Sequence, residues 1–293
     1  MANAMPFIFG ERKAMNLQDL PAHSIVLGKV EASQEALSEK LGGSRAKKYV
    51  RFVIAALSSI PWIGGVMAAS ASLNAEKNQE EINDLHRMWL AEHQEKVREL
   101  SSAFVHIFSR LESFGDDIKE RIESPEYLVL VKKCFHSWDE ADTQDKKQML
   151  KKLITNASAI KLWSDDLVRL FIAWIDQYHE THFLVIKEIY RHPGSTRAQV
   201  WDKIRGARPR EDSAEADLFK YLVRDLSTGG VIRQERETDG LGNFYKKERT
   251  SSREGTSRVM ESAFENTKPY VLTALGKQFV HYVMEDVVPQ IGT

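Results

Sequence analysis

The chain has 293 residues, 42% apolar and 28% charged, with 41 basic against 42 acidic side chains and a formal net charge of -1. This composition excludes a disordered or collagen-like chain, and the charge balance means that any polyanion-binding surface must be local rather than global. A single cysteine, Cys134, excludes an internal disulfide framework and a thiolate zinc cage.

Residues 1–43 are the least patterned part. No basic stretch precedes a long apolar run, so no secretory signal is expected there. Ser33 is placed to cap a short helix reaching Leu41 and closed by Gly42 and Gly43, while 7–9 and 25–27 read as strand fragments or docking residues.

Residues 52–75 hold no charged side chain over 24 positions. About 20 apolar residues suffice to cross a bilayer, but Pro61 removes a helix hydrogen bond near the centre. A break at Pro61-Trp62-Ile63-Gly64-Gly65 leaves two arms, each about 13 Å long as helix. Neither spans roughly 30 Å of hydrocarbon. Arg45, Lys47, Lys48 and Arg51 precede the segment, and a single span would keep the amino end inside and export the rest. Three readings stay open: a buried hairpin of a bundle, a re-entrant or inducible membrane hairpin, and a true span. The residues that would carry the membrane readings are Phe52, Ile54, Leu57, Ile60, Pro61, Trp62, Ile63, Gly64, Gly65 and Val66.

Over 76–123 the pattern predicts one long amphipathic helix. Val97, Leu100, Phe104, Ile107, Leu111, Phe114 and Ile118 recur at spacings of three and four, a heptad seam, with a stutter near His93. About 50 helical residues would extend about 75 Å, so the helix must fold back on its own bundle or pair with another chain as a homo-oligomer seam.

Ser124-Pro125-Glu126 is a restart signal, serine at N-cap and proline at N1. The helix it opens carries Tyr127, Leu130, Val131, Cys134, Phe135 and Trp138. Further helices follow with Leu150, Leu153 and Ile154, then, after Ser164, with Phe171, Trp174 and Ile175. Short loops join these segments, which describes a helical bundle over 44–180.

From about residue 181 the grammar changes. Thr181 is expected to cap a helix ending at His192-Pro193-Gly194, Ser195 or Thr196 a second, and Ser213 a third that Gly229 and Gly230 close. Residues 231–238 read as a strand, Asp239-Gly240-Leu241-Gly242-Asn243 as a hairpin turn and 244–249 as its partner strand. Pro269 to Leu272 looks extended, and Thr273 opens a last helix through Met284.

This order of elements, with the run Leu272-Thr273-Ala274-Leu275-Gly276-Lys277-Gln278-Phe279, resembles the winged helix-turn-helix superfamily over roughly 181–285. The expected fold is therefore mainly α: an elongated helical bundle or coiled coil followed by an α+β winged-helix domain over 181–293. The resemblance implies a recognition helix in the major groove and a wing on the phosphates. On this chain it assigns double-stranded DNA contacts to Lys220 and Arg224, one turn apart on the third helix and set away from Leu218, Tyr221, Leu222 and Leu226. To the wing it assigns Lys246, Lys247, Arg249 and Arg253. The long polar insertion 250–267 departs from a minimal wing, and residues 182–293 hold 18 basic and 16 acidic side chains.

Catalytic signatures are weak. His179-Glu180-Thr181-His182 falls short of the His-Glu-x-x-His zinc pattern and reads as a capped junction. Cys134 reads as a small buried hydrophobe, and Gly240-Leu241-Gly242-Asn243 has no helix directly after it to cradle a phosphate. No catalytic residue, metal or cofactor is expected. The sequence favours a non-enzymatic, cytoplasmic DNA-binding regulator or adaptor presented by a helical oligomerisation module. The alternatives are a membrane-associated, pore-forming-like defence effector acting through 52–75, similar only in layout to bacterial helical pore formers and abortive-infection proteins, and a scaffold for an unknown protein partner.

Overall fold

A computed structural model of the chain describes residues 48–64, 88, 91–159, 164–236, 239, 241, 243 and 261–284. The protein is mainly helical with one small antiparallel sheet, and it divides into two compact units, Met1–Phe104 and Val105–Thr293. The expected helix over 33–41 lies outside the described residues.

In the first unit, helix α1 (Val50–Ser58) ends because Ser58 and Ser59 turn their hydroxyls back on the carbonyls of Ala55 and Ala56, at 2.9 and 2.7 Å. Pro61 then opens a new helical turn through Gly64, where a missing N–H costs nothing. The break thus comes at Ser59-Ile60, ahead of the expected Pro61 to Gly65, because proline starts the second arm instead of interrupting it. Phe52, Leu57, Ile60 and Ile63 are at most 2% exposed. Ile54 and Trp62 are half-buried and Pro61 is exposed; Gly65 and Val66 lie outside the described residues. Phe52 meets Phe104 edge-on at 6.5 Å and Trp62 stacks on His93 at 5.2 Å, so this arm packs inside the chain. No helix among the described residues is long and apolar enough to cross a membrane.

The helix expected over 76–123 ends early: helix α2 covers Gln94–Ser113, and most of 76–93 lies outside the described residues. Gly115, at φ 76° and ψ -160°, takes a positive-φ conformation open essentially to glycine alone, and a 3-10 turn (Asp116–Ile118) leads into the short α3 (Lys119–Glu123). Leu100, Phe104, Ile107 and Leu111 are completely buried in the single chain, while Val97 and Phe114 are half-buried. The four central positions of the heptad pattern are thus buried within the chain itself.

The second unit continues with α4 (Pro125–Glu140), α5 (Gln144–Ala159) and α6 (Asp165–Gln177). Ser124 caps α4 as expected, its hydroxyl accepting the Tyr127 N–H at 3.3 Å. Tyr127, fully buried, donates to the Ile154 carbonyl at 2.7 Å, and Cys134 donates its thiol hydrogen to the Leu150 carbonyl at 3.3 Å. Burial pushes the Cys134 thiol well above its ordinary range, which keeps it protonated and inert.

Helix α7 (Glu180–Arg191) starts two residues earlier than expected. His179, not Thr181, is its N-cap, and its N–H donates to Nδ1 of His182 at 3.0 Å. Then come β1 (Ser195–Thr196), α8 (Arg197–Ile204), α9 (Ala214–Thr228), β2 (Ile232–Gln234), β3 (Pro269–Leu272) and α10 (Ala274–Phe279), the last continued by a π turn, Val280–Met284. The sheet order is β1-β3-β2, antiparallel throughout, with Ser195 opposite Tyr270 and Arg233 opposite Val271. β2 thus pairs with β3; the strand expected over 244–249 lies outside the described residues. Side chains from both sides of residue 180 share one core: Phe279 packs on Phe171 and Trp174 of α6 and on Phe183 of α7, with centroids at 5.3, 5.4 and 6.4 Å.

His182 ties α7 to α9. Its Nδ1 already accepts a hydrogen bond, so the neutral ring carries its proton on Nε2, 3.3 Å from the Asp225 carboxylate. Burial holds the imidazole below the ordinary histidine range, outweighing the carboxylate. The unfolded chain, titrating near 6.5, then binds more protons than the folded one as the pH falls. The stability His182 contributes is complete above about pH 6.5 and is lost as the pH drops through its lowered folded value. Urea unfolding at pH 7.5 and 5.5 checks this: the wild type should lose midpoint on acidification, and His182→Gln should lose less.

Candidate nucleic-acid interface

The outward side of α9 follows from its period. Ala216, Phe219, Leu222, Val223 and Leu226 are buried, which turns Lys220 and Arg224 toward the outside. Leu218 and Tyr221 are 53% and 48% exposed, contrary to their expected place on the inner side. They sit too far around the helix from the Phe219 to Leu226 stripe to reach the core. Ser213 caps the helix, accepting the Ala216 N–H at 3.2 Å, and Gly230 at φ 76° turns the chain into β2.

Between this side of α9 and strands β2 and β3 lies an open cleft of about 740 Å³. Lys220 and Arg224 of α9 line it together with Arg197 of α8, Arg233 of β2 and Arg236 just beyond. Among the described residues Asp217 and Glu261 are the acidic side chains in the lining that oppose these five cations. The cations differ in freedom. Arg197 is 6% exposed and pairs with the Glu261 carboxylate, while its buried Nε has no hydrogen-bond partner among the described residues. Lys268 also reaches Glu261, at 2.6 Å, and its hydrogen bond is the main reason that the Glu261 carboxyl titrates below the ordinary range. Lys220 donates to the Glu261 carbonyl at 2.7 Å. Arg224 lies 6.0 Å from the centre of the Tyr221 ring and, like Arg233 and Arg236, is exposed.

An aromatic trio positions the segment that supplies Glu261. Trp201, Phe219 and Phe264 meet with centroids 5.1 to 6.1 Å apart, and the Ala263 N–H donates to Glu211 at 2.8 Å. The turn expected at Asp239 to Asn243 closes through the Asp239 N–H to the Asn243 carbonyl at 2.9 Å. The Asp239 carboxylate accepts the Leu241 and Asn243 N–H groups, leaving Leu241 89% exposed at the tip.

Lys220 and Arg224 therefore share a cleft, whereas Lys246, Lys247, Arg249 and Arg253 lie outside the described residues. Sequence reasoning missed Arg197, Arg233 and Arg236. Arg233 and Arg236 fall inside the expected strand over 231–238 and were open to notice. Arg197 was not, because its anionic partner stands 64 positions away. The His179 to His182 cluster is a structural junction, with His182 committed to the cap of α7 and to Asp225. No group of three or more metal-capable side chains occurs among the described residues. Compared with protein-family models, curated proteins and solved structures, the chain matches none.

Proposed function

We propose that the protein is a non-enzymatic, double-stranded DNA-binding regulator of the winged-helix kind, with α9 as the recognition helix and the connection between β2 and β3 as the wing. The observation that carries this reading is the cleft between them, in which Arg224, Arg233 and Arg236 stand exposed on facing elements. A phosphate backbone running between a groove-bound helix and a wing needs cations on both sides of its path. Support also comes from the order α7, β1, α8, α9, β2, β3, α10 with its β1-β3-β2 sheet. Asp217 and Tyr221 beside Arg224 give the helix the mixed polarity that base edges require.

Gel shift of the full chain on a pool of random-sequence duplexes tests the reading. Arg224→Ala and Arg236→Ala should each weaken binding roughly fivefold or more, as the loss of one charged hydrogen bond would. Arg169→Ala, which removes a cation paired with Asp166 on α6, should leave it unchanged. Equal losses in all three variants would sink the assignment of the cleft.

A further inference from the structure

On its other side, α9 forms one wall of a second cavity, of about 510 Å³, closed by α7, α8 and the 205–209 turn. Its volume falls within the range of small-ligand sites, roughly 300–1,000 Å³. The interior is apolar: Val185, Trp201, Phe219 and Leu222 line it, each at most 8% exposed. Trp201 offers it only hydrocarbon, because its indole N–H is already taken by the Ala207 carbonyl at 3.1 Å. Leu218, 53% exposed, stands at the edge as apolar surface left uncovered.

The polar groups gather at the mouth and are unequal. Arg208 is held by Asp202 through two bonds, at 2.9 and 2.6 Å. Arg205 makes no ion pair or hydrogen bond through its side chain among the described residues. It is followed by Gly206 at φ 83°, a left-handed position that fixes the turn carrying both arginines. Glu215 also lines the cavity, in the first turn of α9, where the helix dipole favours its negative charge. Among the described residues Arg205 is thus the rim cation that makes no ion pair, above an apolar interior.

From this pairing of an apolar interior with a guanidinium that makes no ion pair or hydrogen bond among the described residues we infer that the cavity is a binding site for a small amphipathic monocarboxylic acid, its hydrocarbon or aromatic body against Trp201 and Phe219 and its carboxylate on Arg205. The site is separate from the cationic cleft, and its occupancy does not depend on the DNA-binding reading.

Isothermal titration of the full chain with 1-naphthylacetate and with decanoate tests it, each acid run beside its uncharged primary amide. At least one acid should bind with a Kd below about 100 µM. Its amide and the Arg205→Gln variant should each be weaker by roughly tenfold, the loss of one charge-assisted hydrogen bond. Arg205 is exposed, so the variant is expected to fold, and its circular dichroism verifies that. Leu218→Ala, which trims the apolar edge, should weaken the acid and its amide alike. The inference is overturned if neither acid saturates the protein by about 1 mM, if the amides bind as tightly, or if Arg205→Gln changes nothing.

Discussion

Replacing Gly276 with alanine is expected to destabilise the second unit by about 3 kcal/mol or more, the upper range for overpacking. A Cβ built on Gly276 would stand 2.1 Å from the carbonyl oxygen of Val231 and 3.0 Å from its carbon. Both are backbone atoms that no rotamer change can move aside. The carbonyl is also anchored, since it accepts the Thr273 N–H at 3.0 Å, and Thr273 donates its hydroxyl to the Gly230 carbonyl at 2.6 Å while accepting the Gly276 N–H at 2.9 Å. Relieving the clash means pulling α10 away from the start of β2. For a unit of this size the thermal midpoint should fall by roughly 6–12 °C. Gly64→Ala, which meets nothing within 4 Å, is the control and should leave the midpoint unchanged.

Phe279→Ala should cost about 3–5 kcal/mol, the usual range for emptying a buried phenyl site. Phe279 is completely buried among Phe171, Trp174 and Phe183, rigid rings that cannot readily collapse into the space left behind. Because α6 and α7 lie on opposite sides of residue 180, the loss should reach both. Hydrogen exchange should show amides of α6 and α7 losing protection together, whereas loosening confined to α7 and later elements would mean two independent cores. The neighbouring contacts run the same way: Asn156 of α5 donates to the Tyr282 carbonyl at 2.8 Å and Lys152 to the Met284 carbonyl at 3.3 Å.

These two residues also explain the Leu272-Thr273-x-x-Gly276-x-x-Phe279 run that stood out in the sequence. Leu272 closes the β3 register opposite Ile232, Thr273 caps the helix, Gly276 permits the close approach to Val231 and Phe279 fills the shared core. Such local grammar is legible because a cap or a close backbone contact leaves its mark within a few residues. Ser124, Ser213 and Thr273 were readable as N-caps for that reason, and Thr196 as one of two neighbouring candidates with Ser195.

What failed to show was set by partners far along the chain. β1 is two residues long and exists only because Ser195 and Thr196 meet Tyr270 and Pro269. The break at Gly115 was overridden by a heptad pattern that runs on through Phe114 and Ile118, and periodicity alone does not distinguish one helix from two with aligned faces. Arg197 reads as an ordinary first-turn residue until Glu261 arrives to bury it. On α9, apolar identity suggested that Leu218 and Tyr221 faced inward, whereas geometry fills the core with Ala216, Phe219, Leu222, Val223 and Leu226. That misreading concealed both the exposed edge at Leu218 and the mixed polarity of the outward side of α9.

The most direct test of the cleft is the salt dependence of duplex binding, followed by fluorescence anisotropy of a labelled random-sequence duplex with the full chain at several ionic strengths. Affinity should fall linearly with salt on logarithmic axes, and Arg224→Ala combined with Arg236→Ala should flatten the slope by about 2, near 0.9 for each phosphate contact removed. Absence of binding at about 50 mM salt, where such contacts are strongest, or a slope that the double variant leaves unchanged, would contradict the DNA-binding reading.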